Sequence, residues 1–160
     1  MLGVKLICVG KMRERFYIDA FEEYRKRLGA YCRLELVELA EQRLSDKPSA
    51  AEIAAALEKE GAEILREIPS DALVCALCVE GREMDSKAFS ALFTERENSG
   101  KPRISFVIGG SYGMSETVKT RADIKLSMSK MTFPHHLARV MLIEQIYRAF
   151  KIAEGSRYHK

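Results

Sequence analysis

The chain has 160 residues, 47% of them hydrophobic and 31% charged, with a formal net charge of +3. That length suits one domain able to bury a sizeable core, and the balance excludes a disordered chain. No apolar run approaches the ~20 residues that span a bilayer, and the charge is too mild to mark a nucleic-acid binder by itself.

The start, Met-Leu-Gly-Val-Lys-Leu-Ile-Cys-Val-Gly, has no basic region ahead of its apolar run. It reads as a first strand over Leu2 to Val9 and not as a signal peptide, so the protein is placed in the cytoplasm. Helical spacing follows from about Glu14 to Tyr31, with Phe16, Ala20, Tyr24 and Leu28 on one side. Arg33 to Leu39 alternates loosely as a strand. Ser49 is a candidate helix cap, with Glu52 completing a capping box, and that helix runs to about Ile68 before Pro69. Ala72 to Val79 is a continuous apolar strand, as in a sheet covered on both faces, and Gly81 ends it. Asp85 or Ser86 caps a helix to about Asn98, which Gly100 and Pro102 stop. Ile104 to Ile108 is a buried strand closed by Gly109-Gly110. Ser115 caps a short helix, Ile124 to Met128 is a final strand, and Pro134 introduces a long helix from His135 to about Ala153. Strands and helices thus alternate throughout, predicting an α/β fold with a mostly parallel sheet flanked by helices, in one domain over residues 1–160. Ligands in such sheets bind outside the carboxyl ends of strands, which singles out the loops after Val79, Ile108 and Met128.

Four segments could carry chemistry. Phe106 to Gly113 is a strand running into a glycine-rich turn; it lacks both the dinucleotide and the triphosphate glycine patterns, and is either a ligand loop or a simple tight turn. Leu126 to His136 joins a strand to a helix through a hydroxyl-rich loop. Met128, Met131 and Phe133 there could line an adenine slot or merely plug the core edge. The helix after Pro134 is apolar over more than half its circumference, which fits either a dimer interface or burial on two sides within one chain. Arg139 lies inside that apolar arc, so it is paired to an acid or faces an anionic ligand. The tail, Ser156-Arg-Tyr-His-Lys160, combines cations with aromatic rings that suit stacking on a base, though terminal peptides are usually dispensable.

Charge is uneven along the chain. Residues 130–160 hold six Lys or Arg against two acids, leaving 20 of the 26 basic and 21 of the 23 acidic residues to the rest. The surplus is either a solvated helix face with a frayed tail or an attractor for a phosphate backbone. Cys75 and Cys78 form a C-x-x-C, but on a strand they point to opposite faces, so they read as small buried hydrophobes and no metal site is expected.

Taken together, Phe106-Val-Ile-Gly-Gly-Ser-Tyr-Gly113, Leu126-Ser-Met-Ser-Lys-Met-Thr-Phe-Pro-His135, Leu142-Ile-Glu-Gln-Ile-Tyr-Arg-Ala-Phe-Lys-Ile152 and the final Tyr158-His-Lys160 closely resemble the RlmH (YbeA) family of SPOUT-class methyltransferases. The start, Val4-Lys-Leu-Ile-Cys-Val-Gly-Lys11, extends the likeness end to end. The resemblance implies a SPOUT α/β knot whose C-terminal chain forms a trefoil, an exception to the rule that chains do not thread loops. It implies a homodimer, and N3 methylation of a pseudouridine in a stem-loop of 23S ribosomal RNA with S-adenosylmethionine as donor. By position, the donor would contact Leu77, Gly109 and the loop of Met128, Ser129, Lys130, Met131, Thr132 and Phe133. N3 carries a proton that must be lost, and a neutral histidine is a suitable base. His135 or His159 is expected in that role, Arg139 and Arg157 as partners of phosphate or a uracil carbonyl, and Arg157, Tyr158 and Lys160 as RNA contacts reaching the partner subunit's pocket. A chain this short leaves no room for an added RNA-binding domain, so an assembled ribosome is the expected substrate. The alternatives are another RNA target or a non-catalytic RNA-binding protein.

Overall fold

The computed structural model describes residues 1–160. Its elements alternate as β1 (Gly3–Val9), α1 (Arg15–Leu28), β2 (Arg33–Leu39), α2 (Ala50–Glu67), β3 (Leu73–Arg82), α3 (Ser86–Asn98), β4 (Arg103–Ile108), α4 (Glu116–Arg121), β5 (Ile124–Leu126) and α5 (His135–Ala153). The five strands form one sheet in the order β2-β1-β4-β3-β5, every pair parallel. An all-parallel sheet needs both faces covered, and the side chains divide accordingly. Val4, Leu6, Cys8, Cys75 and Phe106 face α1, α3 and α5 through Phe21, Leu28, Phe89, Phe93, Leu142, Ile143 and Ile146. Ile7, Val9, Val74, Ala76, Cys78 and Val107 face Ile64 of α2 and Val118 of α4. Cys75 and Cys78 thus sit on opposite faces, and burial pushes the Cys75 thiol up to about 12.

Helix starts follow local chemistry. Ser49 and Glu52 exchange hydrogen bonds in a complete capping box, Asp85 accepts from the Ala88 N–H, and Ser115 accepts from the Val118 N–H. The apolar face of α1 differs from the expected one. Phe16 is 66% exposed, whereas Tyr17, Phe21, Tyr24 and Leu28 meet the core. A strict spacing of four drifts around a 3.6-residue helix, while the 17-21-24-28 pattern stays on one line.

Helix α5 lies between α1 and α3 on one sheet face. Tyr147 meets Tyr24, and Phe150 meets both Tyr31 and Phe93, with ring centroids 5.4–6.2 Å apart. The Ser90 hydroxyl donates to the Ala149 carbonyl at 2.6 Å. Burial on two sides within one chain therefore accounts for much of this helix's apolar surface.

Strand β3 runs on through Gly81 to Arg82, and β5 stops at Leu126, two residues short of expectation. The two differences have one cause. Leu126 pairs first with Leu77 and again with Arg82, so β3 makes an excursion between them and returns alongside β5. A Cβ on Gly81 would stand 2.6 Å from the Lys125 carbonyl oxygen, a contact only glycine permits. The Ser127 N–H donates to the Arg82 carbonyl at 3.0 Å, closing the crossing.

Candidate functional site

The carboxyl ends of β4, β3 and β5 are neighbours, and the chain leaving each of them bounds a single cavity of about 750 Å³. The end of β3 supplies Leu77, Cys78, Val79 and Glu80. The turn after β4 supplies Ile108 to Met114. The connection from β5 to α5 supplies Leu126, Met128, Ser129, Met131, Thr132, Phe133 and Pro134, and α5 itself adds His135 and Ala138.

The glycine turn is shaped by its own backbone. Gly110 and Gly113 form an antiparallel bridge, the Gly113 N–H donating to the Gly110 carbonyl at 3.0 Å. A Cβ on Gly109 would collide with the Gly113 carbonyl, and Gly113 has φ +87°. The β5–α5 loop is held from within. The Ser127 hydroxyl donates to the Ser129 carbonyl at 2.9 Å, and the Ser129 hydroxyl accepts from the Met131 N–H at 3.1 Å. Backbone groups of Met128 to Phe133 enter no backbone–backbone hydrogen bond, so those other than the Ser129 carbonyl and the Met131 N–H are open to a ligand. Val79, Tyr112 and Met131 are large and at least half exposed around the cavity. Lys119 and Glu80 form an ion pair at 2.7 Å on its wall, which raises the Lys119 amine and lowers the Glu80 carboxyl.

Seven of the eight residues expected to contact the donor line this cavity: Leu77, Gly109, Met128, Ser129, Met131, Thr132 and Phe133. Lys130 does not line it and is exposed. His135 lies on the wall, its imidazole held below its ordinary value by burial first and by the nearby His136 next.

Arg139 is fully buried and paired. Its guanidinium donates to Glu38 at 2.6 Å and to the Gly10 carbonyl at 3.0 Å, and Glu38 also accepts from the Met12 N–H. Of its two possible settings, an acid partner or an anionic ligand, the structure supplies the acid. Arg139 ties the start of α5 to the ends of β1 and β2. His136 pairs with Glu14 at 3.3 Å.

The tail packs elsewhere. Tyr158 donates to Glu144 at 3.2 Å, lies edge-on to Tyr147, and carries the Arg148 guanidinium over its ring. His159 lines a second cavity of about 550 Å³ with Met84, Ser86, Met141 and Gln145, sharing only Leu126 and Met128 with the first. Within one chain, His159 is therefore not brought together with His135. Arg157 and Lys160 are exposed. Arg139, Arg148 and Lys151 are all paired to carboxylates, so the cations left free in this region are Lys130, Arg157 and Lys160.

Sequence reasoning passed over Glu38 and Glu41. Glu41 accepts from the Ser111 N–H at 3.0 Å, in the glycine turn. Both acids close a strand or follow it, and nothing in their immediate neighbours distinguishes them from surface carboxylates. No three His, Cys, Asp or Glu side chains are grouped to hold a metal ion, and no helix is long and apolar enough to cross a membrane.

Residues 2–159 match a family model described as "Predicted SPOUT methyltransferase". Ribosomal RNA large subunit methyltransferase H of Clostridium beijerinckii is 46% identical over 159 residues, covering 99% of this chain and 100% of that protein. The protein of the same name from Streptococcus sanguinis is also 46% identical with the same coverage. Among solved structures, a probable methylase family protein from Haemophilus influenzae superposes with a TM-score of 0.55 at 13% identity, covering 100% of this chain and 72% of that one. A probable methyltransferase from Bordetella pertussis gives 0.54 at 15% identity, covering 91% and 95%. These two likenesses concern the fold alone. The parallel sheet, the cavity at its carboxyl edge and the full-length sequence match agree: the chain belongs to the SPOUT methyltransferase family, in its RlmH branch.

Proposed function

We propose that this chain is an S-adenosylmethionine-dependent methyltransferase of ribosomal RNA, acting on N3 of a pseudouridine in 23S RNA within the assembled ribosome. The observation that carries the reading is the convergence of three strand-end loops on one cavity with open backbone groups. About 750 Å³ lies within the range usual for small-molecule sites. Leu77, Gly109 and the loop from Met128 to Phe133 would hold the donor, the backbone meeting the adenine edge and the methionine and phenylalanine side chains its faces. When bound, S-adenosylmethionine supplies an electrophilic methyl on a sulfonium.

The protein's own part is positioning and proton removal. His135, beside the cavity and with its proton affinity lowered by burial, would take the proton that leaves N3 when the donor's methyl is transferred there. Arg157, Tyr158 and Lys160 bind RNA, His159 is the alternative base beside the second cavity, and the protein acts as a homodimer in which one chain's tail completes its partner's site. The close crossing of β3 and β5 at Gly81 supports a trefoil-knotted C-terminus in one domain, which acts in the cytoplasm where ribosomes are found.

Titration calorimetry with S-adenosylmethionine tests the reading first, since absence of binding removes it. Methyl transfer to 70S ribosomes by His135→Ala and His159→Ala tests the roles: loss of about 10²–10⁴-fold in the first identifies the base. Mass mapping of 23S RNA from a deletion strain, before and after adding the protein, identifies the target.

A further inference from the structure

Behind the cavity wall, the base His135 belongs to a group of polar atoms whose other members have no part in the mechanism above. Gly10 follows β1 with φ +93° and has no side chain. The point where its Cβ would stand lies 3.9 Å from Glu41 Oε2, 3.9 Å from His136 Nε2 and 4.0 Å from His135 Nε2. Three polar atoms from a loop and a helix therefore converge above one glycine. His136 Nε2 is buried there without a hydrogen-bond partner, and the group does not form a metal-binding set. The other oxygen of Glu41 accepts from the Ser111 N–H at 3.0 Å and would lie 2.8 Å from a Cβ on Gly110. One carboxylate thus touches the glycine turn of the cavity on one side and faces the histidine of its wall on the other.

We propose that Glu41 is a positioning residue for methyl transfer: Oε1 holds the glycine turn in place, and Oε2 offsets the charge that His135 acquires on taking the N3 proton. This rests on the reading of His135 as the base. The groups facing His135 are Glu41 from the β2–α2 loop, Glu14 ahead of α1, and His136 and Arg139 from its own helix. The two acids raise the imidazole's proton affinity, while burial, His136 and Arg139 lower it. Removing the Glu41 charge therefore lowers it further. The base is active when neutral, so the acid limb of the rate profile moves to lower pH.

The test compares Glu41→Gln and Glu41→Ala in the full chain, measuring S-adenosylmethionine affinity by calorimetry and kcat against pH on 70S ribosomes. In Glu41→Gln the amide oxygen still accepts from Ser111, so affinity stays within about twofold while the acid limb moves about half a unit to one unit lower and plateau kcat falls about tenfold. Glu41→Ala shows both kinetic changes and also loses about tenfold in affinity. Unchanged limb and kcat in Glu41→Gln overturn the proposal. Failure of the underlying reading has a different signature: His135→Ala then retains wild-type turnover and an acid limb, whatever Glu41 does.

Discussion

Arg139 shows how a single side chain can carry two opposite readings. A guanidinium in an apolar arc invites a ligand, yet here both terminal nitrogens are occupied by Glu38 and the Gly10 carbonyl. Removing one member of a buried pair leaves the other uncompensated, which costs about 3–5 kcal/mol; with Glu38 part-exposed, the lower end applies. Arg139→Ala should lower the melting temperature by several degrees, and Glu38→Gln by at least as much because it leaves the fully buried guanidinium without its counter-charge, as measured by calorimetry. His135 makes a pH prediction of its own. Its folded-state proton affinity lies below the ordinary value of 6.5, so the unfolded chain takes up the proton first. Stability is then fully present above pH 6.5 and declines as pH falls through that value and on toward the lower folded one. Chemical denaturation of His135→Gln between pH 5 and 8 should show a shallower decline than the wild type.

At the scale of elements, two predictions differ in where their sign comes from. Ser49→Ala removes half of a capping box and should cost ~1 kcal/mol, a result already implied by Ser49 and Glu52 in the sequence. Gly61 lies inside α2, where glycine ordinarily gives up about 1 kcal/mol relative to alanine. Here a Cβ would collide with the Ser115 hydroxyl that caps α4, so Gly61→Ala should destabilise, and urea titration reads the sign directly. Local chemistry of the first kind was legible in the sequence: caps, the break at Pro69, and the apolar runs of β3 and β4 all fell where expected. Contacts between distant segments were not. The return of β3 past Gly81, the Arg139–Glu38 pair and the Glu41–Ser111 bond each join residues that only the sheet order brings together. For the same reason the cavity loops could be located from strand ends, whereas the acids behind them could not. Phe16 marks the finer limit, since a spacing of four misassigned a face that the heptad-like positions settle.

For the whole molecule, the free cations decide how RNA would be engaged. Three of the six basic residues after position 129 are neutralised by carboxylates, leaving Lys130 by the cavity and Arg157 and Lys160 in the tail. Replacing Arg157 and Lys160 with Ala should weaken ribosome binding and flatten its salt dependence, by a slope change of about 1 per lost phosphate contact, while S-adenosylmethionine affinity stays unchanged. Light scattering should find a particle of twice the 18.1 kDa chain mass, and a monomer would remove the proposed reach of one chain's tail into its partner's cavity.

The crossing of β5 against β3 also has a consequence for how the chain emerges during synthesis. Until Ile124 to Leu126 arrives, β3 is the outermost strand, and it presents the apolar run Val74 to Cys78 with one row of backbone groups unpaired. Such an edge is a template for pairing with other chains. A nascent or truncated product ending before Ile124 would therefore carry an adhesive border, so the short β5 protects the sheet from aggregation as well as flooring the cavity.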